Sequence, residues 1–239
     1  MSVEKIEQNW IVNVNKDNPV FPFIVIDNWY TPGEEIAVWK ELDFISCAPR
    51  NHHQKAENTI VALDVDGNAK SNAFRFYLSS FYNEDVISPI MNTMYKQRSP
   101  EFHNIIADIL PQSRSFFSCN GDSSMVSYYE DKQFYKPHHD TFSWTCLIWM
   151  VREPRKFTGG DFILNEPEVE IKLKNNRMVM FPCQFLHEVT PVIMKEQPDE
   201  MGYGRYTITH FYYSAPDGDR KNVVNREVAE NKHIVNENK

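Results

Sequence analysis

Glycine is scarce in this sequence, with 8 among 239 residues, and cysteine is scarcer still at 4. With so few glycines, most turns must be set by Asn, Asp and the 14 prolines. The thiols (Cys47, Cys119, Cys146, Cys183) are scattered and form no C-x-x-C pair. That pattern excludes a thiolate zinc site and a disulfide-stapled scaffold, and reads as ordinary reduced cysteine. No apolar run approaches ~18 residues, the length of a membrane span. The N-terminal stretch Met1–Gln8 has no apolar signal region. A soluble, intracellular (cytoplasmic) protein with no membrane partner is expected. Positive charge is in short supply as well: 33 acidic against 25 basic residues leave a formal charge of −8. Phosphate contacts need clustered Lys and Arg, so no nucleic-acid partner is expected. The one basic cluster, Arg152–Lys156, reads as a solvated loop.

Apolar residues, by contrast, make up 41% of the chain, enough for a sizeable core. The 16 Phe, 11 Tyr and 5 Trp favour strands over a helical bundle. Val20–Ile26 reads as a strand. Thr31-Pro32-Gly-Glu-Glu35 starts a helix: Thr31 caps it, Pro32 occupies the first turn, and the glutamates face its positive end. Ile36, Val38, Trp39 and Leu42 supply its apolar face. Residues 48–73 are polar and turn-rich, a candidate substrate-covering loop; His52 and His53 within it read as surface residues. Asp64–Asn68 looks like a calcium loop, but the twelfth position is Arg75 instead of Glu, so it reads as a turn. Residues 74–110 look mostly helical, with a break near Ser99–Pro100, and Met91 and Met94 at helical spacing suit core packing.

From about residue 123 the period changes. Short apolar runs follow at Ser124–Tyr129, Trp144–Val151, Asp161–Leu164, Val169–Leu173, Arg177–Phe181, His187–Val192 and Tyr206–Tyr213, separated by polar or Gly/Pro turns. Such a series without helices suggests a sandwich, jelly roll or barrel. No linker divides the chain. It reads as one domain over 1–239: an N-terminal strand and supporting helices (1–120), a β core with the site (121–214) and a polar tail (215–239).

The string Tyr135-Lys-Pro-His138-His139-Asp140 carries the chemistry. On an extended strand, side chains at i and i+2 share a face, so His138 and Asp140 can meet one ion, while His139 points the other way. His187 opens another apolar run. Two imidazoles and one carboxylate form the facial triad of non-haem iron oxygenases, with coordination positions left open. On these residues alone, two satisfied core histidines remain an equal account. Arg205, at the head of Arg205-Tyr-Thr-Ile-Thr209, tips the reading. A dicarboxylate needs a cation at its far end, and guanidinium offers a planar fork that stays charged when partly buried. Thr209, at i+4 on the same face, could assist it.

Taken together, these strings resemble the prolyl 4-hydroxylase branch of the 2-oxoglutarate- and Fe(II)-dependent dioxygenases. The family's Tyr-x-x-Gly-x-x-Tyr-x-x-His-x-Asp string reads here Tyr129-Glu-Asp-Lys-Gln-Phe-Tyr135-Lys-Pro-His138-His-Asp140. Its Gly-Gly-Glu turn is Gly159-Gly160-Asp161, and its His-x-Val/Thr-x-Pro string is His187-Glu-Val189-Thr-Pro191. Arg205–Thr209 is similar to the Arg-Tyr-x-Ile-Thr strand of oxygen-sensing prolyl hydroxylases. The ordered match runs from about Tyr128 to Tyr213. The resemblance implies a double-stranded β-helix (jelly-roll) core packed by N-terminal helices, mainly β with helical support (α+β). It implies Fe(II) held by His138, Asp140 and His187, 2-oxoglutarate as co-substrate, and ascorbate as an auxiliary. Arg205 would hold the distal carboxylate. Tyr129 would bond the co-substrate, with Tyr128 its rival because a one-residue slip swaps faces. Trp149 and Thr209 would line the pocket, and Tyr135 the substrate mouth. The implied reaction consumes O2 and 2-oxoglutarate and releases succinate and CO2 while hydroxylating a prolyl residue in a protein or peptide. The retained Asp140 favours hydroxylation over halogenation. Alternatives are the same chemistry on a free amino acid or other small molecule, a non-catalytic metal-binding jelly roll, and a zinc hydrolase. Three departures stand out: Lys132 for a family Gly, Trp149 for a pocket Tyr, and an insertion at Met194–Tyr203.

Overall fold

Period-two alternation governs the second half of the chain, and helices gather on one side of the sheet it builds. A computed structural model describes residues 10–14, 21–47, 54–55, 66–82, 87–109, 113–166, 168–196 and 202–215. The first half gives β1 (Ile11–Val14), β2 (Ile24–Asp27), α1 (Pro32–Cys47), β3 (Gln54–Lys55) and β4 (Phe74–Tyr77). Next come α2 (Leu78–Phe81), α3 (Pro89–Met94), a 3-10 turn (Tyr95–Arg98), α4 (Pro100–Ile109) and α5 (Arg114–Phe117). The second half supplies β5 (Gly121–Tyr129), β6 (Tyr135–His138), β7 (Trp144–Met150), β8 (Phe157–Gly159) and β9 (Phe162–Leu164). It continues through β10 (Val169–Ile171), β11 (Arg177–Pro182), β12 (His187–Val189), β13 (Val192–Met194) and β14 (Arg205–Tyr213).

The strands form an eight-stranded sheet in the order β1-β2-β11-β7-β14-β5-β4-β3 and a four-stranded sheet, β10-β9-β12-β6; β13 pairs with β8. The paired strands of both sheets run antiparallel. This is the expected jelly-roll core with helices packed on it, and the barrel is not closed. Alternation splits the core into two layers. Ile26, Val126, Ile148, Met178 and Ile208 turn outward against Val38, Leu42, Ile90 and Met94 of the helices. Val25, Leu147, Trp149 and Val179 turn inward against Phe162, Leu164 and Val189 of the smaller sheet. Each such side chain removed from water contributes about 1.5–3 kcal/mol. The site lies in the inner layer.

Helix α1 begins as the sequence predicts. The Thr31 hydroxyl accepts from Glu34 N (3.4 Å), and Glu34 reaches back to Thr31 N (2.8 Å), a capping box. Its apolar stripe differs from the expectation: Ile36 is exposed, while Glu41 is buried. The Glu41 carboxylate accepts from Ser88 Oγ (2.6 Å) and Ile90 N (2.8 Å), and so ties α1 to the start of α3. The helical reading of residues 74–110 fails at its start. Phe74–Tyr77 is a strand paired with β3 and β5. Its Phe-Arg-Phe alternation sends Phe74 and Phe76 outward onto the helical layer, and sheet pairing overrides the helical context. The break at Ser99–Pro100 is where α4 begins, with Ser99 Oγ accepting from Phe102 N. Arg152 is a loop residue, yet it is tethered to α1 by an ion pair with Asp43 and by stacking 4.4 Å above Trp39. His52, His53, most of the 48–73 segment and residues 216–239 lie outside the described residues. Among the described residues no helix is long and apolar enough to cross a membrane.

One polar cluster joins β2 to β11. Asp27 ends β2 and accepts from Arg177 Nε (2.6 Å), Arg177 Nη2 (3.0 Å) and Lys174 Nζ (2.9 Å). The Arg177 hydrogen bonds hold the Asp27 pKa below its ordinary 3.8 against the opposing effect of burial. A lowered carboxylate pKa stabilises the fold above the unfolded value, and the gain is lost as pH falls through it. Asp27→Asn is therefore expected to cost roughly 2 kcal/mol at pH 7. The difference from the parent should shrink below about pH 4, as read by urea denaturation at both pH values.

Candidate metal centre and co-substrate pocket

His138 ends β6 and His187 opens β12, and the two are directly paired across the small sheet. Their ring centroids lie 4.2 Å apart, and both are buried. Asp140 lies one turn further than the sequence implied. Strand β6 stops at His138, and Asp140 sits in the following loop, its N–H bonded to Cys183 O at 3.1 Å. The loop still returns the carboxylate to the histidines: His138 Nε2 is 3.6 Å from Oδ1, and His187 Nε2 is 3.6 Å from Oδ2. Ligand atoms of the three residues all lie within 4.8 Å of one another, and no other such cluster occurs among the described residues. His139 is exposed and bonds Gln184 O, facing away as expected.

Backbone carbonyls fix both rings. His138 Nδ1 donates to Lys136 O (2.9 Å), and His187 Nδ1 donates to Phe185 O (2.8 Å). A carbonyl only accepts, so Nδ1 of each ring carries a proton and Nε2 is the atom turned toward Asp140. Burial pushes the His187 pKa down to about 4 although Asp140 opposes it, so at neutral pH this ring is uncharged. Burial works against ionisation of Asp140, but His187, His138 and the Thr145 hydroxyl outweigh it and hold its pKa low. Thr145 Oγ1 donates to Asp140 Oδ2 at 2.6 Å. Two imidazole nitrogens and a carboxylate thus converge on one point. Two imidazole nitrogens and one carboxylate suit a ferrous ion. Thr145 escaped the sequence reading; its only signal was its place four residues before Trp149, on the same strand face.

Across the inner layer, Arg205 heads β14 and is fully buried. Its Nη1 donates to the Thr207 hydroxyl, while Nε and Nη2 have no partner. The sequence pointed to Thr209. That residue shares Arg205's face but lies a further two positions along the strand, beside Met125 and Leu147, so the bond falls to Thr207 at i+2. The Arg205 guanidinium carbon is 5.1 Å from the Tyr129 ring and 5.6 Å from that of Trp149. Trp149 is also fully buried, with Nε1 unpartnered. Tyr129 faces inward, whereas Tyr128 faces the helical layer and accepts from Gly202 N and Gly204 N. Burial lowers the Arg205 pKa to about 10, which leaves it cationic at neutral pH. Phe162 lies between the two groups, its ring 5.6 Å from His187 and 5.8 Å from Trp149.

The Gly159-Gly160-Asp161 turn brings a bare backbone against this guanidinium. Gly160 has φ +69°, and a Cβ there would lie 2.9 Å from both Arg205 Cδ and Val192 Cγ2. The turn is fastened by Gly160 N to Pro191 O and by Asp161 N to Thr190 Oγ1. Lys132, in the family's glycine position, keeps a left-handed backbone at φ 62° and donates to Val192 O. Tyr135 stacks on His138 with ring centroids 3.5 Å apart. The end of the 48–73 segment runs alongside: Ser71 bridges to Tyr135, and Lys136 N bonds Lys70 O. Of the Met194–Tyr203 insertion, residues 197–201 lie outside the described residues.

Residues 124–213 match the family model described as the 2OG-Fe(II) oxygenase superfamily. No curated protein matches the chain in sequence. Among solved structures, a Pseudomonas putida prolyl-4-hydroxylase aligns over 82% of this chain and 94% of its own, with TM-score 0.53 and 12% identity. A Trichoplax adhaerens prolyl hydroxylase, solved with a hypoxia inducible factor peptide fragment, aligns over 80% and 83%, with TM-score 0.53 and 16% identity. A Burkholderia pseudomallei 2OG-Fe(II) oxygenase family oxidoreductase aligns over 80% and 84%, with TM-score 0.50 and 13% identity. These likenesses concern the fold, and the family match covers the strands that carry the polar cluster and the buried guanidinium. Residues 124–213, which carry the polar cluster and the buried guanidinium, are thus the part of the chain that is similar to the 2OG-Fe(II) oxygenase superfamily.

Proposed function

We propose that this enzyme hydroxylates prolyl residues in a protein or peptide, consuming 2-oxoglutarate and O2 and releasing succinate and CO2. The observation that carries the reading is the His138/Asp140/His187 cluster together with a buried, half-satisfied Arg205 on the inner face of the same sandwich. The superfamily supplies Fe(II) and 2-oxoglutarate; in this reading the three-residue cluster holds the ion. Bound iron and co-substrate provide the oxidising chemistry, and the chain positions it. Arg205 takes the distal carboxylate through its open Nε and Nη2 positions. The Tyr129 hydroxyl and Trp149 Nε1 offer further donors along the pocket. Thr145 orients Asp140, and the Lys136 and Phe185 carbonyls hold both imidazoles in the ligating tautomer. Phe162, Phe181 and Leu147 belong to the buried apolar layer beside the cluster and keep water from it. Ascorbate fits as an auxiliary reductant.

The prolyl choice is supported by the fold shared with prolyl hydroxylases, one of them solved with a peptide, and by Tyr135 at the mouth beside His138. The test is succinate release with Fe(II) on proline-containing peptides, free proline and methylated oligonucleotides, with product masses read in parallel. Peptide oxygenation in step with succinate is expected. Oxygenation of free proline alone, with every peptide inert, would overturn the peptide assignment.

A further inference from the structure

We infer that Arg75 is a second anion receptor in this cavity, and that the substrate carries a carboxylate a few bonds from the carbon that is hydroxylated. The inference rests on the proposed oxygenase reading and names the substrate chemistry that reading leaves open.

Arg75 lies on β4 opposite Ser127 of β5, and Thr207 lies opposite Ser127 on the other side. Strand alternation turns it inward, away from Phe74 and Phe76. It is 5% exposed, and its Nη2 has no hydrogen-bond partner. The guanidinium carbon sits 5.0 Å from the centroid of the Tyr135 ring, which in turn stacks on His138. A single ring therefore separates this cation from a candidate metal ligand.

Among the described residues no carboxylate pairs with Arg75, and a cation–π contact offsets only part of the cost of burying a guanidinium. Two guanidiniums, Arg205 and Arg75, act on the buried Tyr129 phenol, and the one carboxylate acting there is Asp140. On Tyr135 the acting charges are again Arg75 and Asp140. Asp140 is already committed to the two imidazoles and to Thr145. A ferrous ion, Asp140 and Arg205 are together neutralised by dianionic 2-oxoglutarate. Among the described residues Arg75 is left without an anion, and a substrate carboxylate would balance it. A planar fork at the mouth recognises that group through paired N–H donors. The carboxylate can come from an acidic residue beside the target proline or from a free α-carboxyl group.

The experiment uses the purified full chain with Fe(II) and 2-oxoglutarate. Its probes are N-acetylated, C-amidated peptides with Glu or Gln beside Pro, and free L-proline. The wild type should favour the Glu peptide or free proline over the Gln peptide by about tenfold or more in kcat/KM, mostly through KM. R75Q should erase that ratio, and R75K should keep part of it. Turnover of the Glu peptide locates the carboxylate on a side chain, and turnover of free proline locates it on the α-carbon. Independently of turnover, R75M should leave the Tm of the substrate-free protein unchanged or raised, because it removes an uncompensated buried cation. An undiminished acid preference in R75Q, no acid preference in the wild type, or a Tm several degrees lower in R75M would overturn the inference. Absence of succinate from the wild type with every probe would instead overturn the oxygenase reading, and the R75M melt still judges Arg75.

Discussion

Asp140→Ala is expected to abolish 2-oxoglutarate turnover and to weaken Fe(II) binding by more than about a hundredfold. Altering groups that merely orient a ligand typically costs 10–100-fold in metal affinity, and Asp140 is proposed as a ligand itself. Its two oxygens face the two Nε2 atoms, one each, at 3.6 Å. Removing the carboxylate leaves two imidazoles and, among the described residues of the cluster, no anion to offset a divalent ion's loss of water. The fold should survive. Asp140 is in a loop, and its N–H bond to Cys183 O does not depend on the side chain. Thr145 loses one acceptor but keeps a contact with Cys183 Sγ at 3.0 Å. Titration with Fe(II) or Mn(II) measures the first effect and succinate release the second, with circular dichroism to check folding. A variant that folds and retains near-parental turnover would remove Asp140 from the metal assignment, whatever becomes of the histidines.

The residues legible in advance were those whose chemistry restricts their identity. Only His and Asp in that spacing can put nitrogen and oxygen lone pairs on one ion, and only Arg offers a fork that stays charged when buried; His138, Asp140, His187 and Arg205 stood out for that reason. Their supporting groups did not, because support depends on register and reach. Thr207 and Thr209 share a strand face with Arg205, and only the length of the arginine side chain decides between them. Thr145 meets Asp140 because β7 and the loop after β6 converge, a long-range fact that no local pattern carries. Tyr128 and Tyr129 differ by one residue, so the register of β5 against β14 had to be seen before either could be placed. Arg75 was hidden by the misreading of β4 as helix. Its neighbours α2 and α3 are helical, and the four-residue Phe-Arg-Phe-Tyr alternation is too short to overrule them without the pairing to β5. Gly160 needed both its left-handed backbone and the nearness of Arg205 Cδ to acquire a reason.

Arg205→Ala is expected to raise the KM for 2-oxoglutarate by roughly a hundredfold while changing kcat far less. A charge-assisted hydrogen bond contributes roughly 1.5–3 kcal/mol, and the lost interaction is made equally in the ground state and the transition state. Arg205→Lys should recover only part of the affinity, since an ammonium offers no planar fork. The side chain is also pinned between Gly160 and Thr207, which a shorter, more mobile lysine would not fill. pH supplies a second measurement. With burial placing the Arg205 pKa near 10, the wild-type KM should hold steady from about pH 7 to 9 and climb as pH passes through about 10. That rise should vanish in Arg205→Ala. Arg75 serves as the internal control. If Arg205→Ala left the co-substrate KM intact while R75Q raised it, the roles of the two guanidiniums would be exchanged. The dicarboxylate would then lie toward Tyr135, and the Trp149 end of the cavity would receive the substrate.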